Sequence, residues 1–302
     1  MTERDPKLTA VPGIDDVYHV DGWLFDQPGL LSVYVLDTPE PAIVDTGTAD
    51  TTPEPVLAAL AELGIEPADV AHLIPTHVHL DHAGGTGELA RACPNATVHC
   101  HERGIAYLTD PDRLERLKRG VEDAIGFEEP YGDPELVPGE RANAISDGDA
   151  IDLGDRQLAV VDAPGHAPHQ ACLFDDSTGT LFTADAAGLY FDERIYPTTA
   201  PPNFDLEVAV ETVRRLRALE PERNCYPHYG VATDAVDRLE EYEAMLPEWV
   251  AVVEEAATTH EDHLDIANTL REEWGSLGLE SDVAGVLRYL EESGRSAHAE
   301  RD

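Results

Sequence analysis

His77-Val78-His79-Leu80-Asp81-His82 sets three imidazoles and a carboxylate within six residues, directly after the apolar run Ala71-His72-Leu73-Ile74-Pro75-Thr76. Imidazole nitrogen and carboxylate oxygen are the ligands that zinc and similar divalent cations take. A lone histidine on a loop is ordinarily just solvated. Four candidate ligands on one short loop point instead to more than one metal.

Outward from this stretch, the same arrangement repeats. Ile43-Val44 runs into Asp45-Thr46-Gly47, and Ala159-Val160-Val161 into Asp162-Ala163-Pro164-Gly165-His166. Leu181-Phe182-Thr183-Ala184 runs into Asp185, and Asn224-Cys225-Tyr226-Pro227 into His228. Each is an apolar strand candidate followed at once by a ligand type. Groups placed where strands end are held by rigid elements yet face a cleft.

The rest of the chain supplies the frame. Strands are predicted at 31–36, 42–44, 70–75, 96–100, 150–153, 158–161, 171–174 and 181–182, separated by Gly, Pro and Asp turn signals. Helices are predicted at 53–64, 84–93, 112–125 and 204–219, the last from the spacing of Leu206, Val210, Val213 and Leu216. Residues 1–13 are expected to be a flexible N-terminus. Residues 102–145 are charged and lack alternation, and read as a helical insertion over the core. From Thr233 the pattern is helical: Thr233 or Asp234 can cap a helix that Pro247 kinks or restarts. This C-terminal extension is expected over 233–292, with a disordered tail at 293–302.

Taken together, the motifs resemble the metallo-β-lactamase-fold superfamily over roughly residues 14–232. The matching features are H-x-H-x-D-H at 77–82, Gly165-His166 after a strand, Asp185 after Phe-Thr-Ala, and His228 before Tyr-Gly. Asp185 together with His79 is similar to glyoxalase-II-like and lactonase-like hydrolases. Subclass B1 β-lactamases carry Cys where Asp185 stands, and flavodiiron proteins carry Glu where His79 stands. The resemblance implies an α/β (α+β) fold, a four-layer αβ/βα sandwich of two mixed sheets with helices outside. It implies that His77, His79 and His166 hold one metal, that Asp81, His82 and His228 hold a second, and that Asp185 bridges them around a shared hydroxide. Zinc is the expected ion, with iron or manganese as alternatives at such N/O sites. Two metals ~3.5–4 Å apart ionise water near neutral pH and steady a developing oxyanion, so no Ser or Cys nucleophile is required.

Other residues are expected to assist. Asp45 matches the superfamily's early Asp and is expected to orient a histidine of the ligand loop. Asp81, Asp45 and Tyr229 are the catalytic candidates, Asp45 through that orientation and Tyr229 as one of three phenols, with Tyr190 and Tyr196, that could donate to a substrate carbonyl or oxyanion. His169 competes with His166 as ligand, but Gly165-His166 fits the family. His99 and His101 read as ordinary polar residues, and His19, His72, His260, His263 and His298 as structural or solvated. Residues 187–204 read as a long loop forming a pocket wall. Glyoxalase II enzymes usually contact glutathione with a Lys-x-Tyr segment soon after the bridging Asp; this loop has no lysine, which disfavours a glutathione thioester.

Charge bears on partners. The net charge is -41, from 61 acidic and 20 basic residues, and Lys7 and Lys118 are the only lysines. Self-repulsion of that size is costly in dilute solution. At ~1 M salt the Debye length falls to ~3 Å and screens it, so the surface reads as adapted to a salt-saturated cytoplasm. Phosphate backbones, which need Lys and Arg, are disfavoured. Cys93, Cys100, Cys172 and Cys225 form no C-x-x-C pair and are expected to be reduced and buried. No apolar run approaches the ~18 residues of a membrane span, and the N-terminus shows no hydrophobic signal region, so a cytoplasmic location is expected. The leading reading is a hydrolase of a small-molecule ester, thioester or lactone, with a homodimer as a possible assembly. A nuclease and a non-catalytic metal-bound scaffold are the alternatives.

Overall fold

Period-2 alternation in the central strands divides apolar side chains between two faces of each sheet. In the computed structural model, which describes residues 4–275 and 277–295, this yields two sheets. The first has seven strands in sequential order: β1 (Thr9–Ala10), β2 (Val17–Asp21), β3 (Ser32–Leu36), β4 (Ala42–Val44), β5 (His72–Ile74), β6 (Thr97–His101) and β7 (Ala142–Ile145). β1 to β4 pair antiparallel and β4 to β7 parallel. The parallel crossovers contain α1 (Pro53–Leu63), α2 (Leu80–Ala83), α3 (Thr86–Ala92), α4 (Ile105–Thr109) and α5 (Pro111–Ile125).

The second sheet is formed by β8 (Ala150–Asp152), β9 (Gln157–Asp162), β10 (Ala171–Asp175) and β11 (Thr180–Phe182). After a separate hairpin, β12 (Leu189–Phe191) and β13 (Arg194–Tyr196), the chain makes α6 (Leu206–Arg217). It then returns as β14 (Arg223–Cys225) and β15 (Val231–Ala232) to complete the sheet. Three helices follow, α7 (Ala235–Ala256), α8 (His263–Trp274) and α9 (Leu279–Glu292).

Three separate apolar clusters show the layering. Tyr34, Leu36, Val44, Ile74, Val160, Leu173 and Phe182 pack between the two sheets. On the opposite face of β3, Val33 and Val35 join Val56 and Leu60 of α1 and Leu89 of α3. Cys172 and Phe174 of β10 face outward onto α6 and the C-terminal helices. Helix, sheet, sheet, helix is the four-layer sandwich expected from the sequence. α7 contributes Leu239, Leu246, Trp249, Val250 and Val253 to the last interface. Full burial of such side chains stabilises by about 1.5–3 kcal/mol each, so the extension is part of the second sheet's core.

Several expectations need correction. Residues 9–10 form an edge strand on β2, and Arg4 pairs with Asp26 and Glu54 at 2.6 and 2.8 Å, so the described part of residues 1–13 is fastened. The end of the 102–145 segment is not helical: residues 142–145 are β7, paired in parallel with β6. The 187–204 loop contains the β12–β13 hairpin, whose buried Leu189 and Ile195 hold it to the fold. Pro247 lies inside α7, which continues through it. Of the expected tail, residues 296–302 lie outside the described residues. All four cysteines are free and buried. Among the described residues no helix is long and apolar enough to cross a membrane.

Candidate metal centre

The ligand candidates gather where strands of both sheets end. β5 leads through Pro75-Thr76 to His77 and His79, and the short α2 carries Asp81 and His82. β9 leads to His166 through Gly165, whose φ of +126° suits only glycine; a Cβ there would also lie 2.5 Å from Ala209 Cα. β11 leads into a 3-10 turn over Ala184–Ala187 that holds Asp185, and β14 leads to His228.

Two groups result. His77, His79, His166 and Asp185 place their ligand atoms within 4.8 Å of one another, and so do Asp81, His82 and His228. Asp185 Oδ2 lies 3.3 Å from His166 Nε2, 3.9 Å from His77 Nε2 and 3.5 Å from His82 Nε2, so one oxygen stands between the groups. Asp81 Oδ2 lies 3.7 Å from His82 Nε2 and 3.5 Å from His228 Nε2.

The remaining ring nitrogens are oriented from behind. His82 Nδ1 donates to Asp45 Oδ2 at 3.1 Å, His228 Nδ1 to the Leu30 carbonyl at 2.9 Å, and His166 Nδ1 to the Thr198 carbonyl at 3.2 Å. A carbonyl or carboxylate can only accept, so each neutral ring presents a bare Nε2 to the centre. Asp45 also accepts from Thr76 N at 2.8 Å, which ties it to the base of the ligand loop.

These residues fit a pair of cations. His82 Nε2 and His228 Nε2 face each other at 3.2 Å, both turned toward the centre while their Nδ1 atoms are committed behind it. His77 Nε2 and Asp185 Oδ1 are buried with no hydrogen-bond partner, an arrangement that costs roughly 1–3 kcal/mol per group unless something else satisfies it. Burial, then the neighbouring His82, His79, His166 and His169, holds His77 well below the usual imidazole range. Burial lowers His79 to about 3. Burial opposes ionisation of Asp81 and Asp185, but the surrounding histidines outweigh it, and both carboxyls are held below their usual range. Burial likewise opposes charge on His82, yet Asp185, Asp81 and Asp45 more than offset it and favour a positive charge there. The donors are imidazole nitrogens and ionised carboxylates in a pocket that favours added positive charge.

The structure separates the other candidates. Tyr229 turns its hydroxyl to Asp21 Oδ2, 3.3 Å away, which corrects the expectation that it donates into the site. Asp21 is the centre of a buried turn, accepting also from Trp23 N and Gly29 N. Tyr190 stacks on Tyr226 at 4.9 Å, and Tyr196 packs near Phe191 and Arg194 in the hairpin. His169 accepts from Val78 N at 3.5 Å and lies 5.7 Å from the His79 ring, supporting the ligand loop. His101 bridges the sheets through Asp162 at 3.1 Å. His99 contacts His72 and Asn143 away from the ligands.

Three contributors have no sequence signal. Leu30 and Thr198 act through backbone carbonyls, which every residue has. Tyr131, from the segment after α5, is the third. Its backbone carbonyl accepts from Ala49 N at 2.9 Å, its ring meets Phe25 at 5.5 Å, and burial with the charges of Asp81 and Asp185 pushes its phenol up.

Comparison with known proteins bears on this geometry. The family model of the metallo-beta-lactamase superfamily matches residues 27–228. The metallo-beta-lactamase fold-containing protein ST1585 of Sulfurisphaera tokodaii is 30% identical over 167 residues, 55% of this chain and 62% of that relative, so the match spans less than two thirds of it. A solved structure of ST1585 superposes with a TM-score of 0.70 at 21% identity, over 90% of this chain and 98% of that one. An N-acyl homoserine lactonase of Bacillus thuringiensis is 25% identical over 238 residues, 65% of this chain and 85% of the lactonase. The acyl-coenzyme A thioesterase MBLAC2 of Bos taurus is 35% identical over 118 residues, 37% of this chain and 39% of the thioesterase.

Proposed function

The chain belongs to the metallo-beta-lactamase superfamily, and from that footing we propose that it is a hydrolase that uses two divalent cations to cleave a small ester, thioester or lactone. The observation that carries the reading is the facing pair His82 Nε2 and His228 Nε2, 3.2 Å apart with both other ring nitrogens already committed as donors. His77, His79 and His166 would hold one cation and Asp81, His82 and His228 the other, with Asp185 shared. Zinc is the first choice, and iron or manganese suit the same donors. When bound, such cations ionise water near neutral pH and polarise a carbonyl.

The chain's own residues supply the rest. Asp45 fixes the His82 ring, Thr198 fixes His166, and Leu30 fixes His228. Asp81 is the most open of the carboxylate ligands, with a side chain 20% exposed against 6% for Asp185. It is held ionised, so its second carboxylate oxygen would be available to accept a hydrogen bond from a water at the centre. A carbonyl substrate is favoured over a nucleic acid because the net charge of -41 opposes phosphate backbones. Lactonase and thioesterase relatives support the same substrate class. The acidic surface supports operation at high salt.

Metal analysis with a hydrolysis panel tests the proposal. The purified chain should bind two cations and hydrolyse at least one class among acyl lactones, aryl esters and acyl thioesters. Chelation should abolish the activity and zinc or manganese restore it. His77→Ala should lose metal and activity together. Unchanged metal content in that variant, or cleavage of RNA or DNA with inertness toward every carbonyl substrate, would overturn it.

A further inference from the structure

Two of the metal-ligand candidates, His166 and Asp185, are held through Thr198 from the C-terminal helices. His166 Nδ1 donates to the Thr198 carbonyl at 3.2 Å. The Thr198 hydroxyl donates to the Asp185 carbonyl at 2.7 Å. With its one proton so used, Thr198 Oγ1 accepts from the Tyr242 hydroxyl of α7 at 3.0 Å, and Thr198 N approaches the same phenol oxygen at 3.4 Å. One residue therefore contacts two ligand residues and is itself fixed by α7.

The next residue is fixed by two helices. Thr199 N donates to Asp282 Oδ1 of α9, and Thr199 Oγ1 donates to the Asp282 carbonyl at 3.0 Å. Trp249 Nε1 of α7 donates to Thr199 Oγ1 at 3.0 Å. Gly285 lies so close that a Cβ built on it would meet the Thr199 carbonyl oxygen at 1.7 Å. Thr198, Thr199, Tyr242, Trp249 and Asp282 are all buried. The space between Thr198, Tyr242, His166 and Asp185 is a cavity of about 10 Å³, room for one water at most. The dipeptide has little freedom to move without moving the ligands.

We propose that the C-terminal helices are a positioning element of the metal centre, with Tyr242 and Asp282 clamping Thr198–Thr199 so that His166 and Asp185 are held for cation binding. This rests on the two-cation reading above. The clamp acts on His166, which belongs to the first position alone, and on Asp185, which both positions share, so the position built on His77, His79 and His166 depends on it more than the one built on Asp81, His82 and His228. Groups that orient a ligating histidine typically set metal affinity by 10–100-fold.

The test is competitive metal titration of the full chain, with cobalt(II) spectra reporting each position. In Tyr242→Phe one of the two cations should bind roughly tenfold or more weakly, with altered cobalt absorption, and the other should be weakened distinctly less. Asp282→Ala should do the same, and Asp282→Asn, which keeps the acceptor for Thr199 N, should restore affinity. Trp274→Phe is the control for general loss of stability. Trp274 packs on Trp249 at 5.2 Å in the same layer, and its loss should leave both affinities as in wild type. Wild-type affinity at both positions in Tyr242→Phe, or equal weakening in Trp274→Phe, would overturn the clamp. A wild-type chain that binds no metal would overturn the two-cation reading beneath it.

Discussion

Replacing Asp45 by Asn probes a single hydrogen bond behind the centre. Asp45 sits in the left-handed region at φ +59° and is 2% exposed; Asn tolerates that backbone about as well. Its Oδ1 can still accept from Thr76 N, so the base of the ligand loop keeps its anchor. The change falls on His82. An amide NH₂ now faces Nδ1, and two donors cannot pair, so the ring is driven to the tautomer with its proton on Nε2. That proton occupies the direction in which His82 would bind a cation. A hydrogen bond to a charged group is worth about 1.5–3 kcal/mol, roughly 10–150-fold in affinity. The expected outcome is one cation weakened by about that factor while the position built on His77, His79 and His166 keeps its affinity. Titration against a chromophoric chelator resolves the two events. Thermal unfolding of the metal-free forms should be similar, whereas Asp45→Ala, which also strands Thr76 N, should lose about 1–3 kcal/mol. Equal wild-type affinity for both cations in Asp45→Asn would refute the argument that Asp45 acts by fixing the tautomer.

Other perturbations test separate links. Gly165→Ala imposes a Cβ at φ +126° against the backbone of Ala209; it should cost about 1–3 kcal/mol and weaken metal binding, read by unfolding and metal titration together. Burial lowers His19 to about 4 from 6.5. Between those values the unfolded chain binds a proton that the folded chain refuses, so stability should fall as pH drops from 6.5 to 4, by up to roughly 3 kcal/mol. His19→Gln, which keeps a partner for Ser32, should flatten that part of the profile in urea unfolding at stepped pH; an unchanged profile would count against a neutral buried His19. Raising KCl from 0.1 to 3 M should raise Tm, each kcal/mol of relieved repulsion giving roughly 2–4 °C, and a flat response would remove the argument for salt adaptation.

Legibility from sequence depended on whether a residue acts through its side chain and whether its strand is apolar. The ligand candidates are side chains directly after apolar runs, so type and position coincide. Thr198 and Leu30 act through carbonyls, and no residue type announces that. β3 and β10 showed as apolar runs, but β2 did not, because its buried positions include His19 and Asp21. Those are satisfied by Ser32 and by the amides of Trp23 and Gly29, partners visible only in three dimensions. β7 is Ala142-Asn143-Ala144-Ile145, an edge strand with weak strand formers. The β12–β13 hairpin turns at Asp192–Glu193 with φ of +50° and +61°, a conformation usually signalled by Asn-Gly. Tyr229 sits next to a ligand candidate, yet adjacency in sequence did not decide the direction of its hydroxyl.

The order in which the ligand candidates occur along the chain bears on biosynthesis. Four of the seven ligand candidates are present once residue 82 has been made, but His82 meets its partner His228 across 146 residues. Contacts of that span form late, after the intervening strands have found their places. A nascent chain can therefore offer the H-x-H-x-D-H loop to a passing cation long before a second sheet exists to enclose it. On the two-cation proposal, full loading would mark the docking of the two sheets, and pulse-labelled chains should acquire the second cation only after residue 228 has left the ribosome.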